Sequence, residues 1–145
     1  KKNGCDHVIN YSKENFAKRV LEITDGLGVP VVYDGVGKNT LERSLECLKI
    51  RGMMVSFGNA SGPLPDINVQ KLIQPKGIYL TRPSGAHYYR SRQELDEGAK
   101  LLFEKIENGN IKIEIFKKYK LDDVVRAHSD LEDRKIIGPA VLIPN

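Results

Sequence analysis

Residues 31–40 read VVYDGVGKNT: a β-branched run reaches an acid, and Gly35 and Gly37 then bracket a single residue. A glycine turn between a strand and a helix is where proteins cradle a dinucleotide. One glycine makes the tight turn, a second lets the pyrophosphate approach, and a third lets helix and strand pack closely. Here Thr40 takes the third place. The acid expected about 20 positions later, after a second strand, is also absent, because that strand ends in SFGN. A phosphate-binding loop fits less well still. Lys38 is followed by Asn39 rather than Ser or Thr, and Val32 stands where that motif has its first glycine. The turn is a strand-to-helix bend without the full fingerprint.

Other reactive side chains are dispersed. Cys5, Cys47, His7, His87 and His128 show no metal-ligand spacing and no pairing of nucleophile with base, so no metal site is expected. His128 falls on a short amphipathic segment without a Ser or Cys partner and reads as structural. Asp34 reads as a strand-end hydrogen-bond acceptor rather than a base. No catalytic residue is assigned. What remains is a set of small and polar residues at four apolar-run ends: NY (10–11), DGVG (34–37), FGNAS (57–61) and TRPS (81–84). In an open α/β sheet, ligands bind outside the carboxyl ends of the strands, where these residues would lie.

The elements that must position them follow from periodicity. HVINY (7–11) reads as a short strand, and a helix follows from Ser12, with Phe16, Ala17, Val20 and Leu21 on one face until DGLG. VPVVYDGVG is a strand apolar enough for burial on both faces, as in a parallel sheet. Asn39 with Glu42 approximates a capping box, and Leu41, Leu45 and Leu48 form one stripe. RGMMVSFGN (51–59) and GIYLTR (77–82) are further strands. Ser91 and Glu94 form a capping box ahead of Leu95, Ala99, Leu102, Phe103 and Ile106. IKIEIF (111–116) alternates strictly and predicts a strand with one wet face. A helix from Asp122 to about Asp133 and a strand at AVLIP close the pattern. Strands alternating with helices predict an α/β fold with a parallel sheet.

With 145 residues, 40% hydrophobic and 29% charged, the chain has the make-up of a soluble domain. It has no apolar run of membrane-spanning length and no signal-peptide pattern at its start. Two cysteines fit a reducing, cytoplasmic setting. The net charge of +4 arises from 23 basic and 19 acidic residues interspersed along the chain. FKKYK (116–120) therefore reads as a solvated strand face, not a nucleic-acid surface.

Taken together, VINY, VVYDGVG, LERSLECLKIRGMMVSFGNASG, YLTRPS and RAHSDLEDR…GPAVLIP resemble the C-terminal part of the NADPH:quinone oxidoreductases. These form the zeta-crystallin-like, zinc-free branch of the medium-chain dehydrogenase/reductases. The resemblance runs through essentially all 145 residues. It implies the second half of a Rossmann-type doubly wound parallel sheet (1–109), followed by a segment (110–145) that returns to complete a catalytic domain. It implies too that the full fingerprint lies upstream, in a longer protein, and that these residues alone are inactive.

The resemblance assigns NADPH as cofactor and a quinone or similar electron-poor acceptor as substrate. Tyr11 resembles the tyrosine that helps hold the adenosine 2′-phosphate, and Val36 a residue beside the ribose and pyrophosphate. Phe57, Gly58, Asn59 and Ala60 match a loop over the cofactor toward its nicotinamide end. Arg82 and Ser84 resemble residues near the same crevice, and Arg134 an arginine arriving from the returning segment. The family also implies a homodimer through the 77–82 edge strand. Three alternatives stay open: a non-catalytic dimerisation or cofactor-binding piece, an enoyl or alkenal reductase of the same superfamily, and another doubly wound enzyme such as a methyltransferase.

Overall fold

The computed structural model describes residues 4–144. They form two compact units, one ending at His87 and the other starting at Tyr88.

In the first unit, Asn15 starts helix α1 (Phe16–Ile23) by accepting from the Ala17 and Lys18 amides at 3.0 and 3.1 Å. The helix begins later than Ser12 because Asn10 claims the preceding residues. Its carbonyl accepts from the Lys13 and Glu14 amides, and its side chain accepts from the Ser12 amide. HVINY is correspondingly not a strand: residues 7–10 join no sheet among the described residues and Tyr11 already begins a turn, and a β-run without a partner ladder stays unassigned. Tyr11 rests edge-on against the Phe16 ring, 6.4 Å between centroids.

Strand β1 (Val29–Asp34), helix α2 (Leu41–Glu46), strand β2 (Leu48–Ser56) and strand β3 (Tyr79–Thr81) follow. The sheet is parallel in the order β1-β2-β3, with Val31 opposite Met53 and Met53 opposite Tyr79. Leu41, Leu45, Leu48, Met54 and Ile78 are the buried core. The leucine stripe is therefore real, although Leu48 contributes from β2 rather than from the helix. β1 is buried on one face only. Val32 and Asp34 point inward, whereas Tyr33 on the opposite face is 73% exposed, so the expectation of two covered faces does not hold within this unit. Thr40, not Asn39, occupies the cap position of α2, and its hydroxyl turns away from the helix toward Asp34.

In the second unit, Ser91 and Glu94 form the expected capping box of α4 (Arg92–Glu107), which follows a single helical turn, α3 (Gly85–Tyr88). Strand β4 (Lys117–Lys120) pairs in parallel with β5 (Ala140–Ile143), and α5 (Val124–Glu132) connects them. IKIEIF lies before β4 and forms no strand. Its alternation would need a surface to bury one face, and Ile111, Ile113 and Ile115 are all exposed. β4 takes up KKYK of the FKKYK run: Tyr119 is buried while Lys118 and Lys120 face solvent. The Tyr119 hydroxyl donates to Asp130 on α5 at 2.8 Å and the Lys117 ammonium donates at 2.9 Å, tying strand to helix.

Candidate functional site at the tips of the parallel strands

Where β1 ends, the chain must leave the sheet without burying unpaired amides. Asp34 solves this. It is 5% exposed and accepts four hydrogen bonds. The Val36 and Gly37 amides donate to Oδ1 at 2.8 and 2.9 Å, and the Thr40 and Ser44 hydroxyls donate to Oδ2 at 2.7 Å each. Burial pushes the Asp34 carboxyl up, but the donors from Gly37, Ser44, Thr40 and Val36 outweigh it and hold the group below its ordinary 3.8. A carboxylate saturated by donors is an anchor, as expected of a strand-end acceptor, and has no lone pair free to act as a base.

The loop after β2 is fastened to this turn. The Phe57 amide donates to the Asp34 carbonyl at 2.9 Å, the Ala60 amide to the Gly35 carbonyl at 3.3 Å, and the Ser61 amide to the Val36 carbonyl at 2.8 Å. The approach requires glycine at two places. A Cβ on Gly58 would strike the carbonyl oxygen of Gly35 and lie 2.7 Å from its Cα. Gly37, at φ +91°, adopts a conformation that side-chain-bearing residues rarely take, and a Cβ there would meet the Gly62 carbonyl oxygen at 2.8 Å. The Phe57 ring lies over Gly35, whose own Cβ would sit 3.0 Å from the ring edge. The ring is 57% exposed, so Phe57 is a lid on the turn and not core.

A cavity of about 260 Å³ opens beside the turn, lined by Tyr11, Phe16, Val32, Asp34, Gly35 and Val36 among others. That is below the roughly 300–1,000 Å³ usual for a small-molecule site, so it would hold part of a larger ligand. Two bigger cavities are present, one in each unit. One of about 530 Å³ adjoins α2 and the turns at 69–76, and one of about 350 Å³, mostly apolar, lies in the second unit beside Tyr119, His128 and Leu131. The strand-tip cavity is the one to which the loop chemistry points.

The structure thus brings Tyr11 and Val36 to one cavity wall and gathers Phe57, Gly58, Asn59 and Ala60 along the adjoining loop. Arg82, just past β3, turns Nη1 onto the Ser56 and Gly58 carbonyls at 2.8 and 3.3 Å, bracing that loop from its far side. The Ser84 oxygen accepts from the Ala86 amide at 3.2 Å and serves the helical turn that follows. Arg134 belongs to the second unit, where it follows the Asp133 cap of α5 in a left-handed conformation at φ +57°. Three contributors were not singled out from the sequence. Thr40 and Ser44 lie one helical turn apart and therefore on one face, a signal that was available once Asp34 was seen to need donors. Ser61 falls in the FGNAS strand end (57–61), but nothing in that run marks its hydroxyl as the bridge between two distant segments.

Among the described residues, no three of His, Cys, Asp and Glu come together in a way that could hold a metal ion. Burial pushes the Cys47 thiol up to about 11, with Glu46 adding to the effect, which leaves it protonated and unreactive. No helix among the described residues is long and apolar enough to cross a membrane.

A parallel sheet whose neighbouring strand tips carry thin glycine loops around a cavity defines a Rossmann-type α/β protein. The sequence profile of the zinc-binding dehydrogenase family matches residues 3–142, and the chain belongs to that family. It is 46% identical over 144 residues to a quinone oxidoreductase of Pseudomonas aeruginosa, covering 99% of this chain and 44% of that protein. It is 43% identical over 145 residues to a 2-haloacrylate reductase of Burkholderia, with the same coverage. The crystal structure of Escherichia coli quinone oxidoreductase complexed with NADPH superposes with a TM-score of 0.93 at 48% identity, covering 99% of this chain and 44% of that one. The chain therefore spans less than half the length of the relatives it matches.

Proposed function

We propose that this chain forms part of an NADPH-dependent quinone reductase of the zinc-free branch, a cytoplasmic enzyme. In this reading residues 1–109 are the second half of the nucleotide-binding domain, and 110–145 return to complete the catalytic domain. The observation that carries the reading is the joined pair of glycine loops at the tips of β1 and β2, in a chain nearly half identical throughout to quinone oxidoreductases. Backbone this thin, with no Cβ between Gly35 and Gly58, is what a dinucleotide needs to approach a strand tip.

The residues present fit such a cofactor. Tyr11 presents a phenol at the cavity mouth that can donate to a 2′-phosphate oxygen, and Val36 forms the wall beside it. The loop from Phe57 to Ala60 covers the site and excludes water, and Arg82 braces that loop. When bound, NADPH supplies the hydride that reduces the acceptor. The described residues do not fit a zinc site.

Among the described residues, β3 has β2 on one side and no strand on the other, with Tyr79 and Leu80 exposed. Such an edge invites pairing, which supports a homodimer formed through residues 77–82. The 43% identity to a 2-haloacrylate reductase favours, as a second reading, an activated alkene as acceptor.

The test is NADPH-dependent turnover by the full-length enzyme with a quinone and with 2-chloroacrylate, in wild type and Tyr11→Phe. Wild type is expected to reduce the quinone with the higher kcat/KM; preference for the acrylate supports the second reading. Tyr11→Phe is expected to weaken NADPH about tenfold and NADH by much less, since only NADPH carries the 2′-phosphate. Equal losses for both would remove Tyr11 from that role.

A further inference from the structure

Val36 forms part of the cavity wall and sits in a glycine-flanked turn. Its peptide is held from two sides. The Val36 amide donates to Asp34 Oδ1 at 2.8 Å, and its carbonyl accepts both the amide and the hydroxyl of Ser61, each at 2.8 Å. The same Ser61 oxygen accepts the Asn39 amide at 3.0 Å. One hydroxyl thereby links residues 36, 39 and 61, using its one proton and one lone pair with sound geometry. The contacts cross 25 and 22 positions of sequence, so they set how the two loops sit on each other rather than shaping either loop locally. Ser61 is not a cavity-lining residue.

We propose that Ser61 is a positioning residue for cofactor binding: its hydroxyl locks the Val36 turn onto the 57–62 loop and so fixes the width of the groove between them. This rests on the NADPH reading above. Without the hydroxyl, the Val36 carbonyl keeps only the Ser61 amide and the Asn39 amide keeps no loop partner. The turn then samples wider positions, and the nucleotide must pay the ordering cost on binding.

The test compares wild type, Ser61→Ala and Ser61→Thr in the full-length enzyme. Ser61→Ala is expected to raise the KM and Kd for NADPH about tenfold while kcat and the KM for the quinone stay within twofold. Hydrogen exchange at the Val36 and Asn39 amides should quicken in the NADPH-free protein. Ser61→Thr, which keeps the hydroxyl, is expected to restore the NADPH KM to within threefold of wild type. If Ser61→Ala does not fold, Ser61→Cys, which keeps the bulk but donates weakly, carries the same expectation. An unchanged NADPH KM in the Ala or Cys variant, a Thr variant as impaired as Ala, or a fall in kcat alone would overturn the role. Wild-type protein that fails to bind NADPH would overturn the functional reading itself, and this shows before any variant is compared.

Discussion

Replacing Asp34 by Asn changes one atom and tests the architecture of the strand tips. The carboxylate accepts four bonds of 2.7–2.9 Å in a site that is 5% exposed. Asn keeps one carbonyl oxygen for the Val36 and Gly37 amides but turns an amino group onto Thr40 and Ser44, whose hydroxyls must then rotate to accept. Hydrogen bonds to a charged group contribute about 1.5–3 kcal/mol each and neutral ones about 0.5–1.5 kcal/mol, so four bonds lose roughly 4 kcal/mol. Part of this returns because a buried charge no longer has to be desolvated. The net cost should be about 2–3 kcal/mol, read from urea denaturation of the purified protein together with native-state hydrogen exchange at the Val36 and Gly37 amides. The pH dependence supplies a sign. Asp34 is held below 3.8 in the fold, so its contribution is complete above the unfolded carboxylate pKa and is lost as pH falls through the lower folded value. The gap between wild type and Asp34→Asn should therefore be constant from about pH 5 to 8 and narrow below about pH 4. A variant as stable as wild type, or a gap that widens in acid, would refute the anchor.

Two further outcomes follow from the same geometry. Gly58→Ala places a methyl group against the Gly35 backbone, so the two loops must shift apart; overpacking of this kind costs about 1–3 kcal/mol, so thermal unfolding should come earlier and NADPH binding should weaken, and a neutral substitution would show the loops to be looser than described. In the second unit, hydrogen bonds from Lys117 and Tyr119 draw the Asp130 carboxyl down to about 2. Its contribution is present above the ordinary carboxylate range and is lost as pH falls toward 2, so Asp130→Asn should lower stability at neutral pH and flatten the acid limb of a pH titration followed by circular dichroism; matching acid limbs would contradict it.

Much of this fold was legible because burial and periodicity agreed. The leucines at 41, 45 and 48, the Ser91–Glu94 capping box and the β-branched run into Asp34 each state their own structure. HVINY and IKIEIF misled for one reason: alternation and β-branching describe a strand's suitability for a sheet, not the presence of a neighbour to pair with. The cap of α2 misled for another. Asn39 and Glu42 make a plausible local box, but Thr40 found a better partner in a buried carboxylate six residues back, and its spacing with Ser44 becomes a signal only once Asp34 is seen to need donors. Val36 and the Phe57–Ala60 loop were recognisable from their glycines, whereas Ser61 was not, because a lone serine in a Gly/Pro-rich loop looks like any other loop residue until both of its distant partners are placed.

A crystal structure of the full-length enzyme with NADPH would show where the nucleotide runs. The 2′-phosphate is expected within hydrogen-bond distance of the Tyr11 phenol, with the rest of the nucleotide passing Val36 beneath the Phe57–Ala60 loop. Nucleotide density elsewhere, as in the apolar cavity beside Tyr119 and His128, with the tips of β1 and β2 bare, would contradict it.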